Sequence, residues 1–323
     1  MIDRRSLMLG AAAFGAAPML MSGTAEAQAI DMLKIFCPAA PGGGWDQTSR
    51  TIEQVLRTTN LVKGVQVTNV PGAGGAVGLP QFLNNWKGQG NSLMVAGMVM
   101  VGSLLANKSP LRISQTIPVA GLTGEFEAIV VPAESKFKTL KDFADALKAD
   151  PSKVPVAGGS AGGTDHILLG MIAKELGVSP AKASYVAFAG GGPALAALLG
   201  NQVAAGISGY GEFSEQVKAG KLRVLAISAD KRQDGIDAPT MKEAGINLEL
   251  FNWRGVFAPP GVSAADLAAM TDLMKKMTAS KEWSDACKQR DWTQTTMFGD
   301  DYKKFVDNEN TRIEAILKDL GLA

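Results

Sequence analysis

Short apolar runs rich in β-branched residues alternate along the chain with stretches whose apolar positions recur every three to four residues, the pattern of parallel strands covered by helices. It predicts strands over 33–37, 65–70, 93–96, 117–122, 128–131, 154–157, 185–188, 203–207, 223–228 and 255–258. Leu140, Phe143, Ala144 and Leu147 keep the i, i+3, i+4, i+7 stripe of an amphipathic helix. Leu267, Met270, Leu273, Met274 and Met277 do the same behind Ser263, a residue suited to cap a helix N-terminus, and a methionine stripe at that spacing reads as core. The run 300–320 places Tyr302, Phe305, Val306, Ile313, Ile316, Leu317 and Leu320 for one long docked helix. The expected fold class is α/β.

Five times a predicted strand runs into a glycine-rich loop that opens directly into a helix. The loops are Pro41-Gly42-Gly43-Gly44-Trp45-Asp46, Pro71-Gly72-Ala73-Gly74-Gly75, Gly158-Gly159-Ser160-Ala161-Gly162-Gly163-Thr164-Asp165-His166, Gly190-Gly191-Gly192-Pro193 and Gly209-Tyr210-Gly211-Glu212. In an open parallel sheet such loops gather at the carboxyl edge of the strands, where ligands bind. Glycine lets a ligand approach the main chain, and the first turn of a helix leaves N–H donors unpaired, so each loop is a candidate anion cradle. The five loops hold no lysine or arginine; their charged residues are Asp46, Asp165 and Glu212, with His166 beside them. Backbone amides and the hydroxyls of Ser160 and Thr164 are therefore expected to capture a carboxylate, with geometry supplying selectivity.

The candidate ligand-binding residues are Gly43, Gly44, Trp45 and Asp46 in the first loop and Gly72, Ala73, Gly74 and Gly75 in the second. From the middle of the chain come Gly159, Ser160, Thr164, Asp165, His166, Gly191, Gly192 and Tyr210. Several have a second reading. Asp46 and Asp165 stand at matching places after Gly-Gly, where a carboxylate either binds its own loop amides or meets the ligand. Trp45 either walls the cleft or packs under its helix. His166 either donates to a carboxylate or is a satisfied helix residue.

At 323 residues the chain suggests about two domains of roughly 150 residues. With 46% hydrophobic and 20% charged residues the body is neither disordered nor membrane-embedded. A net charge of +1 with no basic block excludes nucleic acid as a partner. Residues 1–29 read as a cleaved export signal: Arg4-Arg5, an apolar run from Ser6 to Met21 too short to span a bilayer, then small residues around Ala27 and Ala29. Twin-arginine and ordinary secretory export both fit. Cys37 and Cys287 permit a disulfide in an oxidising compartment, and equally read as two buried thiols. One histidine and no Cys/His cluster give a metal or haem nothing to rest on, so no cofactor is expected. The glycines lack the Gly-Lys-Ser/Thr of a phosphate loop, the G-x-G-x-x-G spacing of a dinucleotide fold and the Gly-x-Ser-x-Gly of a hydrolase elbow. The chain is not expected to be an enzyme.

Taken together, these motifs resemble the extracytoplasmic solute receptors of tripartite tricarboxylate transporters, the TctC-like or Bug-type group. The resemblance runs from about Ile35 to the C-terminus and is carried by residues 38–46, 71–75 and 163–166, by Ala219-Gly220-Lys221-Leu222-Arg223-Val224-Leu225-Ala226, by Ala238-Pro239-Thr240-Met241-Lys242-Glu243-Ala244-Gly245, and by Asn252-Trp253-Arg254-Gly255-Val256. It implies a two-lobed periplasmic binding protein of the type II kind, with the ligand enclosed by hinge closure. Lobe one is then 30–128 plus 253–323 and lobe two 129–252, each a mainly parallel sheet flanked by helices. It implies a periplasmic monomer that captures a tricarboxylate such as citrate, or a dicarboxylate, and passes it to integral membrane subunits. Gly90-Asn91-Ser92-Leu93-Met94 and Ser208-Gly209-Tyr210-Gly211-Glu212 depart from the family pattern. Arg254 reads either as a structural ion pair or as a bridge to the ligand or a transporter subunit. A sensor that presents its ligand to a membrane signalling partner would share this sequence.

Overall fold

A computed structural model describes residues 30–323, so the expected export signal lies outside the described residues. The chain begins with strand β1 (Met32–Cys37), helix α1 (Gly44–Thr58) and strand β2 (Gly64–Asn69). β1 and β2 pair in parallel, with Leu33 opposite Val65, and helix α1 returns the chain between them. The helix forms where predicted strand gives way to a 3.6-residue period: Ile52, Val55 and Leu56 are fully buried on one stripe, each worth about 1.5–3 kcal/mol against exposure. Helix α2 (Gly78–Asn85) leads to strand β3 (Ser92–Gly97), parallel to β1, and helix α3 (Met98–Ala106) follows.

Strand β4 (Ile117–Pro132) joins the two halves of the molecule. Its first part, through Phe126, pairs antiparallel with β9 (Phe251–Ala258) and with β10 (Thr293–Phe298). From Glu127 onward it pairs instead with β7 (Ala205–Gly209) and β8 (Leu222–Ile227). β7 continues in parallel to β5 (Val156–Gly158) and β5 to β6 (Tyr185–Ala187). The first sheet therefore runs β2-β1-β3-β9-β4-β10 and the second β8-β4-β7-β5-β6. Helices α4 (Leu140–Ala149), α5 (Thr164–Glu175), α6 (Gly191–Leu199) and α7 (Tyr210–Lys218) flank the second sheet. α8 (Ala264–Thr278), α9 (Lys281–Gln289) and α10 (Gly299–Asp319) complete the chain.

The expected alternation of strands and helices is present, and the Ser263 hydroxyl accepts from the Asp266 amide at 3.1 Å, capping α8 ahead of its methionine stripe. Three features differ from the sequence reading. The sheets are mixed where a mainly parallel arrangement was expected, because β4 and β9 run antiparallel to their neighbours. The runs 117–122 and 128–131 are one strand; the intervening Thr123-Gly124-Glu125-Phe126-Glu127 looks like a break, yet it stays extended as it passes from one sheet to the other. β10 was not predicted, since Thr293, Gln294 and Thr296 leave it without an apolar face. Cys37 and Cys287 are both buried and unbonded, and burial pushes their thiols up to about 11 and about 12.

Candidate functional site

The glycine-rich loops do follow carboxyl ends of strands: β1, β2, β5 and β6 lead into four of them, and β7 ends on the glycine that opens the fifth. They meet around a cavity of about 60 Å³ between the two sheets. At roughly 10–15 Å³ per water, that is room for about four to six waters. One wall comes from the first sheet: Pro38, Ala39, Gly43, Gly44 and Trp45 after β1, with Gly72 and Gly74 after β2. The opposite wall is Gly159, Ser160 and Asp165, then Ala189 to Gly191, Ser208 and Glu212. Asn252 and Arg254, on β9, close the base. The walls touch at the rim, where a methyl placed on Gly43 would lie 3.5 Å from the Gly191 nitrogen.

Beneath the cavity lies a cluster of buried charge. Glu125 and Glu127 alternate along β4, respectively 1% and 0% exposed, because the strand is covered on both faces as it changes sheets. Arg254 donates to Glu125, lies 3.7 Å from Glu212 and stacks over Trp292 at 5.6 Å. Asn252 donates to Glu127 at 2.9 Å. Asp165 accepts the Gly159 amide at 2.6 Å. Of these four carboxyl groups, Glu125 and Glu212 reach the guanidinium, and Glu127 and Asp165 do not. Burial pushes Asp165 up to about 6 against the Gly159 bond, and burial with the Glu125 charge pushes Glu212 up to about 8. Burial followed by the Asp165 charge holds Glu127 well above the ordinary carboxylate range; burial raises Glu125 despite the pull of Arg254.

Of the residues singled out from sequence, Gly43, Gly44, Trp45, Gly72, Gly74, Gly159, Ser160, Asp165 and Gly191 line the cavity. Asp46 does not: its carboxylate accepts from the Gly42 amide at 3.0 Å and from Asn69 at 2.9 Å, with Arg50 at 3.4 Å, and so ties its own loop. Trp45 combines both of its readings, lining the cavity while 5% exposed in the core, with Gly75 behind its ring. His166 is turned to its own loop, accepting the Gly162 amide at 3.1 Å and stacking on Tyr185 at 4.3 Å; burial lowers its pKa. Tyr210 faces a separate surface groove with Asp291 and Trp292. Ala73, Gly75, Thr164 and Gly192 lie in the cavity-forming loops without lining the cavity.

The loops themselves bring no lysine or arginine, but β9 carries Arg254 to the cavity from outside them, where it is both an ion-pair partner of Glu125 and a lining residue. Glu125, Glu127 and Asn252 were not among the expected site residues, and Glu212 was noted only as a loop charge. The available signal was Glu125-Phe126-Glu127 set between apolar runs, two carboxylates on one face of a strand that has no solvent side.

The profile of the tripartite tricarboxylate transporter family receptor matches residues 49–322. The chain belongs to that receptor family. It is 26% identical over 313 residues to protein BugT of Bordetella pertussis, covering 95% of this chain and 94% of BugT. The solved periplasmic binding protein BugD shares the fold, with a TM-score of 0.81 at 23% identity over 90% of this chain and 98% of BugD. MatC from Rhodopseudomonas palustris, solved with bound malate, superposes with a TM-score of 0.77 at 22% identity, covering 88% of this chain and 98% of MatC. This TctC-type receptor therefore has the α/β periplasmic binding protein fold. Among the described residues no helix is long and apolar enough to cross a membrane.

Proposed function

We propose that this receptor is exported to the periplasm, captures a small organic acid between two lobes and delivers it to the membrane subunits of a tripartite tricarboxylate transporter. The carrying observation is the cavity at the carboxyl edges of both sheets, where the loop opening α1 faces the loop opening α6 and Arg254 stands at the base. Unpaired helix-start amides and a guanidinium with an unpartnered Nη1 suit the ligand's carboxylate. The lobes of this proposal are 30–128 with 253–323, and 129–252; the change of partners along β4 at Phe126 and Glu127 supports a hinge there. Family membership supports delivery to a transporter, and the malate in MatC supports a carboxylate ligand.

The test is the melting temperature of residues 30–323 against tricarboxylates, dicarboxylates, monocarboxylates, amino acids and sugars. A ligand at 100 times its Kd adds about 2.7 kcal/mol to the folded state, roughly 4 °C for a chain of nearly 300 residues. A shift with an acid recovered chemically unchanged supports the proposal. Shifts confined to sugars, or conversion of the acid, would refute it.

A further inference from the structure

The polar atoms at the base of the cavity are not all matched to one another. Arg254 Nη1, Glu212 Oε2 and Asn252 Oδ1 have no hydrogen-bond partner, although all three residues line the cavity. Asn252 is 4% exposed and the side chains of Arg254 and Glu212 are 3% and 8% exposed, so bulk water does not satisfy them. Arg254 already gives its Nη2 to Glu125 and approaches Glu212 with the same atom, leaving Nη1 a buried cationic donor without a partner. Asp165 stands on the wall nearby, held by the Gly159 amide, with Glu127 packed beside it. A buried acceptor or donor without a partner costs about 1–3 kcal/mol, more when charged, so the site is built to be completed by something that enters it.

The complement is mixed in charge. One guanidinium faces the carboxyl groups of Asp165 and Glu212 and the amide oxygen of Asn252, so a second carboxylate on the ligand would meet no further cation, whereas an ammonium group would meet acceptors and favour the charged form of both acids. Among the described residues no three His, Cys, Asp or Glu side chains are placed to hold a metal ion, which favours an organic cation over an inorganic one. We infer that the ligand is a small zwitterion, its carboxylate on Arg254 Nη1 and the loop amides and its protonated amine on Asp165 and Glu212. This specialises the receptor function proposed above and rests on it. A second or third carboxylate finds no further cation in the cavity, and a plain diamine leaves the guanidinium unsatisfied.

The experiment is calorimetric titration of residues 30–323 with length-matched pairs: 4-aminobutyrate against succinate, 5-aminopentanoate against glutarate, aspartate against malate, with 1,4-diaminobutane alongside. At least one amino acid is expected to bind about tenfold or more tighter than its dicarboxylate. Glu212→Gln and Asp165→Asn should each weaken that amino acid about tenfold to a hundredfold and narrow its advantage over the dicarboxylate. Melting curves of both variants show whether they fold, and either one suffices. Preference for the dicarboxylate overturns the zwitterion and leaves the organic-acid receptor standing. Binding of diaminobutane alone overturns the carboxylate half and the organic-acid reading with it. No binding by any member overturns the zwitterion, and the organic-acid reading falls with it when no acid of the melting panel shifts the transition.

Discussion

The two walls of the cavity are built from the same kind of loop and carry opposite chemistry. The first-sheet wall, Pro38 to Trp45 with Gly72 and Gly74, presents backbone and an indole and no ionisable group. Its one nearby acid, Asp46, is spent on Gly42, Asn69 and Arg50. The second-sheet wall presents Asp165 and Glu212, backed by Glu127 and Glu125, with the balancing guanidinium supplied by β9 at the base. Two aspartates at equivalent positions after Gly-Gly, both bonding loop amides, therefore end in different roles: one is satisfied by its neighbours, the other stays open to the cavity. Loop type determines where a ligand is held, and the strands beneath determine what charge it meets.

The sharpest way to break this comparison is to remove the balancing charge. Arg254→Met should destabilise the fold by about 3–5 kcal/mol in chemical denaturation, since it leaves buried carboxylates without their cation. Glu125→Gln in that background should recover part of the loss. Next comes Gly44→Ala. A methyl there would lie 2.2 Å from Arg254 Nη2 and 2.8 Å from Glu212 Oε1, an overpacking expected to cost about 1–3 kcal/mol and to abolish ligand-induced melting shifts. Gly43→Ala, whose nearest neighbour is at 3.5 Å, should be far milder.

The walls should also separate by pH. Asp165 and Glu212 have folded-state pKa values raised above their unfolded ones, to about 6 and about 8. Between the unfolded and folded values the folded state holds the extra proton, so stability falls as pH rises through that window, by at most about 1.4 kcal/mol per pH unit for each group. The ligand-free melting temperature is expected to decline from pH 4 to pH 8, and Glu212→Gln to flatten the upper part of that slope. The smallest effect belongs to the first wall: Asp46→Asn should cost about 0.5–2 kcal/mol, as lost capping-type bonds do, while ligand preference stays unchanged in the same titrations. A change in preference would show that the two walls are not divided as described.

Much of this was visible in the residues themselves. The apolar runs located most strands, the stripes of α4, α8 and α10 placed their buried faces, and glycine clusters ahead of helices pointed to nine of the residues that line the cavity. The charge cluster was hidden for a physical reason. Thr123, Glu125 and Glu127 alternate with Leu122, Gly124 and Phe126, which reads as a strand with one wet face, but β4 lies between partners and layers that bury both faces. The central place of β4 depends on partners far off in sequence, β9 for its first part and β7 with β8 for its second. Arg254 was equally ambiguous, because nothing within its own segment places it opposite Glu125. Gly124 belongs to the same crossing, where a side chain would strike the Phe251 ring at 2.3 Å.

The division of β4 between two sheets also orders assembly. The second sheet draws all of its strands from one continuous stretch that ends with β8 at Ile227, whereas the first is incomplete until β9 and β10 arrive, the latter ending at Phe298. Pairings that close short loops form sooner than those that close long ones. In refolding, the half bearing Glu127, Asp165 and Glu212 is thus the half that can organise first, and Arg254 reaches it only with β9. The late strand brings its own electrostatic incentive to dock: the acid cluster works as a socket that waits for the last piece of the fold.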